Sequence, residues 1–205
     1  MAGLRARQKA DRERRILEAA VTTFRAKGYR AARIEELAHR AEVSVGTVYN
    51  YYQSKGEILV AVVAMEVEEV LAAGAAMVAN PPEDVDAALL DLVFGYFDHS
   101  LKYLSKEMWR FAMALSIESP QTPSGRRYTE LDQRLADQVT AMIAALQKTG
   151  EVRPDLAPGA IGTLLFNNLN QEFTAFVKDE AMPLEILHSR VSAQTRPVAR
   201  MIATR

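Results

Sequence analysis

Residues 44–55, SVGTVYNYYQSK, concentrate hydrogen-bonding side chains in twelve positions. The stretch carries hydroxyls, side-chain amides and an ammonium group, and it has a glycine near its start. Such donors suit the phosphate oxygens of a nucleic acid, while a glycine permits close backbone approach to base edges. The stretch therefore predicts a surface that lies against a polyanion.

Read as a helix, this stretch has two faces. At about 100° per residue, Val48 and Tyr52 point to one side, where they can pack on preceding helices. Thr47 and Tyr51 lie on the flank between the two faces. Ser44 is positioned to cap the first turn with its hydroxyl. The residues predicted on the exposed face are Val45, Gly46, Tyr49 and Asn50.

The segments around this helix predict a helix-turn-helix. A first helix is expected over about 9–27, with Gly28 as its left-handed stop. A second is expected over about 33–40, where apolar residues recur with helical spacing at Ile34, Leu37, Ala38 and Ala41. The third, 44–52, would enter the major groove. A long helix over about 54–78 follows, and Lys55 in its first turn is placed to clamp a phosphate.

Charge is distributed unevenly along the chain. The net charge is −1, yet residues 1–55 hold twelve Lys/Arg against six Asp/Glu, whereas residues 56–205 hold thirteen against twenty. A basic front on an acidic body is typical of a polyanion-binding surface, although a solvated face has the same pattern. Arg5, Arg7 and Arg12 could add backbone or minor-groove contacts, or could belong to a disordered solubilising tail.

The remainder of the chain also has helical periodicity and no convincing strand, so the predicted fold is all-α. Five further helices are expected, and Pro197 should break or kink the last of them. Their predicted ranges are 83–104, 106–118, 126–148, 157–179 and 183–195.

Several functional classes lack their sequence signals. No phosphate loop, G-x-S-x-G elbow or G-x-G-x-x-G occurs, and cysteine is absent. The three histidines are far apart, without the spacing of metal ligands. We therefore expect no catalytic residues, no metal and no cofactor. Without a signal peptide or an uninterrupted apolar span, the chain is expected to be cytoplasmic and not membrane-bound.

Aromatic and thioether side chains in the larger part indicate either a plain core or an adaptable apolar pocket. In the helix over 157–179, Asn168 and Glu172 lie four residues apart within an apolar stripe. A buried carboxylate needs a partner. Glu172 could contact an effector or hydrogen-bond across a dimer interface. Alternatively, the helix is rotated from its predicted orientation and Glu172 lies at the edge of the stripe. The candidate effector-binding residues are Tyr96, His99, Tyr103, Trp109, Phe111, Met113, Asn168 and Glu172.

The stretch GYRAARIEELAHRAEVSVGTVYNYYQSKGEIL, residues 28–59, resembles the DNA-binding segment of the tetracycline-repressor (TetR) family of bacterial regulators. The matching motif is Gly-Tyr, then Ile-x-x-Leu-Ala, then Val-Ser-x-Gly-Thr-Val-Tyr, then Ser-Lys. The rest of the chain resembles the family only in being all-helical and of the usual length.

The resemblance implies a role for each matching position. Thr47, Tyr49, Tyr51 and Lys55 match phosphate-contacting positions. Val45 and Gly46 match positions that face bases, and Arg33 lies where the second helix meets the backbone. The predicted DNA-contacting residues are Arg33, Ser44, Val45, Gly46, Thr47, Tyr49, Asn50, Tyr51 and Lys55.

Three positions depart from the family pattern. Glu42 stands where the turn normally carries glycine, although a glutamate is less suited to a left-handed conformation. Ala32 replaces the threonine expected to cap the second helix. Val45 replaces a residue that is frequently polar, so it can meet a thymine methyl but cannot hydrogen-bond a base.

The resulting hypothesis is a homodimeric repressor that binds a palindromic double-stranded DNA operator and responds to an unknown small-molecule effector. Residues 1–53 would form the DNA-binding domain and 54–205 the effector-binding and dimerisation domain, linked by the helix over 54–78. In TetR-like proteins the last two helices form the dimer interface. The alternative is a helical DNA-binding or interaction protein controlled by a protein partner.

Overall fold

Helices account for nearly all regular structure in this chain. The computed structural model describes residues 2–204, without the side chains of residues 2 and 4; Met1 and Arg205, the outer ends of the predicted domains, lie outside the described residues. Within residues 2–204 no strand forms, apart from one isolated bridge between Val152 and Ala203. The all-α prediction is confirmed. The helices are α1 (Ala2–Lys27), α2 (Ile34–Arg40), α3 (Val45–Tyr51), α4 (Lys55–Ala79), α5 (Val85–His99), α6 (Lys106–Glu118), α7 (Pro123–Thr149), α8 (Pro158–Lys178) and α9 (Leu184–Ile202).

The described chain divides into two compact units. The first contains the residues up to Met65 together with Tyr103–Tyr128, and the second contains Glu66–Lys102 and the residues from Thr129 onward. Helices α4 and α7 therefore supply residues to both units. This grouping is structural and does not locate functions, so the division into functional domains after residue 53 stays a prediction.

The core of the first unit forms where α1, α2 and α3 meet. Ile16 and Phe24 of α1 are buried, as are Leu37 of α2 and Val48 of α3. Gly28 ends α1 with a φ of 80°, which confirms the predicted left-handed stop. The first helix begins at Ala2, earlier than predicted, because the polar stretch before residue 9 continues the same helical backbone.

The second unit has its own apolar core, in which α9 packs on α5 and α8. Burying these side chains supplies the main stabilising free energy of the unit. Its buried residues include Leu89, Leu92, Val93, Leu165, Leu169, Phe176, Leu187 and Val191.

Two predicted helix ends are wrong. Helix α5 ends at His99 instead of near residue 104, and the chain then turns so that Leu104 is buried. Ser100 helps this turn by donating its hydroxyl to the carbonyl of Phe97 at 2.7 Å. Helix α7 begins at Pro123, where a proline needs no intrahelical N–H partner.

Pro197 does not break the last helix. Helix α9 continues through it to Ile202, with Thr195 and Ala199 buried on either side. Proline removes the hydrogen bond to the carbonyl of Ala193, but both residues are exposed, so water can solvate that carbonyl. Packing of the buried face therefore outweighs the local loss.

None of the helices within residues 2–204 combines the length and the apolar character that a membrane-spanning helix requires.

Candidate nucleic-acid interface

Helix α3 has the two faces that its sequence predicts. Val48 is fully buried and Tyr52 is 8% exposed, whereas Tyr49 on the other side is 49% exposed. Gly46 and Asn50 are also exposed. Thr47 and Tyr51 are half-buried on the predicted flank. Val45, which was predicted on the exposed face, is half-buried as well. The helix therefore presents a glycine, an amide and a phenol hydroxyl to solvent while its apolar side holds it in place.

The first turn of α3 is capped from within. The Ser44 hydroxyl accepts the backbone N–H of Thr47 at 3.0 Å and lies 2.8 Å from the Thr47 hydroxyl. This confirms Ser44 as the N-cap. Both hydroxyls stay at the helix N-terminus, where the partial positive charge of the helix favours an anion.

Two tyrosines tie α3 to α1. Tyr51 donates its hydroxyl to the carbonyl of Lys9 at 3.2 Å, and Tyr52 donates to the carboxylate of Glu13 at 3.3 Å. Burial, with Glu13 nearby, raises the pKa of Tyr52 well above its usual value. The Tyr51 proton is thus used inside the protein, which distinguishes Tyr51 from the solvent-facing Tyr49. Neither pairing is visible in the sequence pattern, because the partners are 42 and 39 positions away.

The turn between α2 and α3 adopts a left-handed conformation at Glu42. Its φ is 53°, and it is the one non-glycine residue with positive φ among residues 2–204. This explains why a glycine suits the position. The Glu42 carboxylate lies 3.5 Å from the Arg15 guanidinium, an exposed ion pair between the turn and α1.

Arg33 lies at the N-cap of α2, where no side chain caps the helix. Its own side chain is exposed. The N-cap is therefore Arg33 and not the buried Ala32, which corrects the predicted cap position by one residue. Glu36 lies in the first turn of α2, and its ion pair with Lys27 is the main cause that lowers the Glu36 pKa.

Lys55 occupies an unexpected position. Its ammonium group donates to the backbone carbonyls of Tyr29, Arg30 and Ala32 at 2.8, 3.0 and 3.1 Å. The group also lies 4.7 Å from the centre of the Tyr29 ring. These contacts use all three N–H donors of the ammonium group within the protein, so none of them is free to make the predicted phosphate contact in this structure.

The N-terminal arginines Arg5, Arg7 and Arg12 belong to α1 and are exposed. They extend the basic surface along the helix that supports α3. A helical backbone fixes their spacing, unlike the disordered tail that the sequence left open.

The sequence profile of a known family matches the part of the chain that carries this geometry. Residues 16–62, from α1 into α4, match the family described as bacterial regulatory proteins, tetR family. Over this segment the chain is similar to the bacterial regulators of the TetR family. The resemblance predicted from residues 28–59 is therefore confirmed and extends into α1.

Curated relatives are similar to this chain over its N-terminal part. The repressor KstR of Rhodococcus jostii is 39% identical over 72 residues, which is 35% of this chain and 32% of KstR. The match to KstR of Mycolicibacterium smegmatis is similar, with 38% identity over 60 residues. The matched stretch spans about a third of the length of these curated relatives.

Solved structures resemble this chain in fold over almost its whole length. A protein assigned to the TetR-family transcriptional regulators of Mesorhizobium loti has a TM-score of 0.72 and 20% identity, covering 95% of this chain and 98% of that one. FadR of Bacillus subtilis, solved with stearoyl-CoA, has a TM-score of 0.64 and 17% identity, covering 87% and 95%. Likeness at this identity establishes the fold.

Four candidate effector residues lie in the first unit. Tyr103 lies in the turn before α6, Trp109 is buried, and Met113 is half-buried. Phe111 packs its ring on Tyr29, with ring centres 4.8 Å apart. Phe111 therefore contacts the turn after α1 within this unit.

Tyr96 and His99 lie on α5 in the second unit. Tyr96 donates its hydroxyl to Gln138 at 2.6 Å, and burial raises its pKa well above the usual value. Nδ1 of His99 is 2.6 Å from the Glu66 carboxylate, and its Nε2 is 2.9 Å from that of Glu69. Sequence reasoning missed the contact between Glu66 and His99, although the charge of Glu66 within the apolar run of α4 was a signal.

Asn168 and Glu172 on α8 meet at a single residue of α9. Asn168 donates to Gln194 at 2.7 Å, and Gln194 in turn donates to Glu172 at 2.7 Å. The guanidinium of Arg190 lies 3.9 Å from the second Glu172 oxygen. The partner that the carboxylate requires is thus supplied by α9 of the same chain.

No group of three or more His, Cys, Asp or Glu residues in the range 2–204 has the arrangement of a metal site.

Proposed function

We propose that this chain is a homodimeric, DNA-binding transcriptional repressor whose operator affinity is controlled by a small molecule. The observation that carries the proposal is the exposed polar face of α3, held by the buried Val48 and Tyr52. The family match over residues 16–62 and the similarity to KstR repressors support it. Repressors act on the chromosome, so we place the protein in the bacterial cytoplasm.

In this proposal, α3 enters the major groove and reads few bases directly. Val45 and Gly46 face base edges, Asn50 supplies an amide, and Tyr49 donates to phosphate. Arg33 and the N-terminal arginines of α1 add positive charge beside the backbone. Most of the affinity then comes from phosphate contacts and counterion release, which makes binding strongly dependent on salt.

Dimerisation would use the exposed faces of α8 and α9. Leu164 on α8 is 59% exposed, and on α9 Ile186 and Met201 are 45% and 64% exposed. Large apolar side chains on two neighbouring helices favour burial against a second copy of the same surface. Two-fold symmetry would present two α3 helices to half-sites about 34–36 Å apart on a palindromic operator.

Effector control would act as a shift between populations of conformers. A ligand that binds better to conformers with mis-spaced α3 helices lowers operator affinity by its differential affinity for the two states. Helix α4 runs unbroken from Lys55 to Ala79 and contributes residues to both units, so we expect it to transmit the conformational change. Candidate ligand contacts remain Tyr96, His99, Tyr103, Trp109, Phe111, Met113, Asn168 and Glu172.

Selection of duplexes from a random pool tests the DNA-binding proposal. We expect a palindromic sequence to be enriched and its affinity to fall as salt concentration rises. Absence of any salt-dependent duplex binding would refute the proposal.

Stearoyl-CoA, the ligand solved with Bacillus subtilis FadR, is a suitable first probe of effector control. Release of the selected operator by this ligand would support small-molecule control. If a broad metabolite panel fails and a cell extract releases the operator only through a protein fraction, control by a protein partner replaces this part of the proposal.

A further inference from the structure

Lys55 begins α4 immediately after the candidate DNA-binding helix. Only Gln53 and Ser54 separate it from Tyr52, the C-cap of α3. The Ser54 hydroxyl accepts the N–H of Glu57 at 3.1 Å, and the Glu57 carboxylate accepts the N–H of Gln53 at 2.8 Å. This reciprocal capping fixes the chain at the junction of α3 and α4.

The ammonium group of Lys55 reaches across to the turn that follows α1. Its three hydrogen bonds end on carbonyls of Tyr29, Arg30 and Ala32, all within 3.1 Å. Carbonyls just beyond a helix C-terminus lack intrahelical partners, and a lysine can satisfy them. The side chain is half-buried, and burial lowers its pKa from the usual value.

The Tyr29 ring is held from several sides of the same unit. Its centre lies 4.7 Å from Lys55 Nζ, 4.8 Å from the Phe111 ring centre and 5.4 Å from that of Phe24. Arg30 in turn lies over the Phe111 ring at 5.0 Å. Residues from α1, α4 and α6 thus meet around one turn.

A phosphate contact would compete with this arrangement. An ammonium group has three N–H donors, and each is matched here by one backbone carbonyl. Lys55 could reach a phosphate only by leaving at least one of these carbonyls unpaired, which carries a desolvation penalty.

We infer that Lys55 is a positioning residue, which locks the start of α4 to the α1–α2 turn and thereby fixes the orientation of α3 against DNA. The inference rests on the proposed DNA-binding function. It assigns Lys55 a role through geometry, distinct from neutralisation of a phosphate.

The test compares three variants by titration of the selected operator at several salt concentrations. Lys55→Met removes the ammonium group, and Lys55→Arg keeps the charge but replaces three converging donors by a planar fork. Lys27→Met is the matched control, because it removes one charge from an exposed ion pair in the same unit. Circular dichroism establishes that each variant is folded at the temperature used.

We expect Lys55→Met and Lys55→Arg both to weaken operator binding by about tenfold or more. The salt slope of Lys55→Met should match that of Lys27→Met. A direct phosphate contact predicts otherwise: Lys55→Arg would keep its affinity, and the slope of Lys55→Met would fall by a further ~0.9. Either result would overturn the inference. If Lys55→Met does not fold, Lys55→Arg carries the comparison.

A spectroscopic measurement separates this inference from the proposed function. In protein labelled with ¹⁵N at lysine side chains, the Lys55 ammonium protons should be protected from exchange without DNA and remain so with DNA. Protection that arises only when DNA is added would contradict the positioning role. If the wild-type protein binds no duplex, the DNA-binding proposal fails. Protection of the Lys55 ammonium protons in the free protein would still report whether the three hydrogen bonds of Lys55 to the α1–α2 turn are formed.

Discussion

The carboxylate of Glu66 lies 2.6 Å from Nδ1 of His99, and its other oxygen is buried without a hydrogen-bond partner. Glu66 is only 2% exposed, in the middle of α4. Burial raises its pKa to about 7, while the contacts with His99 act in the opposite direction. A carboxyl group that titrates near neutrality therefore lies in the second unit, on the helix that contributes to both units.

This raised pKa predicts a pH-dependent stability. Because the folded protein holds the Glu66 proton more tightly than the unfolded chain, the stabilisation is present below the unfolded pKa and is lost as pH rises through about 7. Glu66→Gln keeps a neutral side chain at both pH values. Between about pH 5 and about pH 8 the free energy of unfolding of this variant should therefore fall less than that of the wild type, by up to about 3 kcal/mol. Urea unfolding at both pH values measures this difference.

Glu69→Gln is the control for that experiment, because Glu69 contacts the same histidine but is 40% exposed. The Glu69 charge raises the Glu66 pKa less than burial does, so Glu69→Gln should change the pH dependence of stability less than Glu66→Gln. Equal pH slopes for Glu66→Gln and the wild type would mean that Glu66 does not titrate in this range.

Glu42→Gly should stabilise the protein. A left-handed backbone at a non-glycine residue costs about 1 kcal/mol, and glycine removes that cost. The ion pair with Arg15 that is lost is exposed and contributes little. Glu42→Ala loses the same ion pair but keeps the strain, so urea unfolding should place its stability at or below wild type. If glycine and alanine have equal effects, the strain at this turn is negligible.

Leu164→Asp should convert the proposed dimer to monomers. A carboxylate would have to be buried in an apolar seam, which costs several kcal/mol. Ile117→Asp places the same charge on α6 at a residue that is 79% exposed and outside the proposed seam. Sedimentation velocity should show monomers for the first variant and dimers for the second. Dimers in both samples would place the interface elsewhere.

Arg33 and Tyr49 should differ in how their loss affects DNA binding. Arg33→Gln removes a cation beside the backbone, so the salt slope should fall by ~0.9. Tyr49→Phe removes a neutral hydroxyl, so affinity should fall for all sequences while the slope stays constant. Fluorescence titrations at several salt concentrations measure both quantities. A constant slope for Arg33→Gln would show that its side chain is not placed on a phosphate.

Local patterns were sufficient to predict α2, α3 and the end of α1. The spacing of Ile34, Leu37 and Ala38 predicted the buried face of α2, and Ser44 and Gly28 marked helix ends correctly. Such signals depend on hydrogen bonds and periodicity within about four residues, so a single sequence contains them. The two faces of α3 follow from the same short-range geometry.

The sequence by itself thus determined the all-α fold, the segment that resembles the TetR family, and the exposed positions of Gly46, Tyr49 and Asn50 on α3. Only the tertiary structure decided the partners of Lys55, Glu66 and Glu172, and the continuation of α9 through Pro197. The physical reason is that a charge or a helix-breaking residue takes its role from neighbours distant in sequence. The same ammonium group can bind a phosphate or three backbone carbonyls, and only the folded chain places one of them within reach.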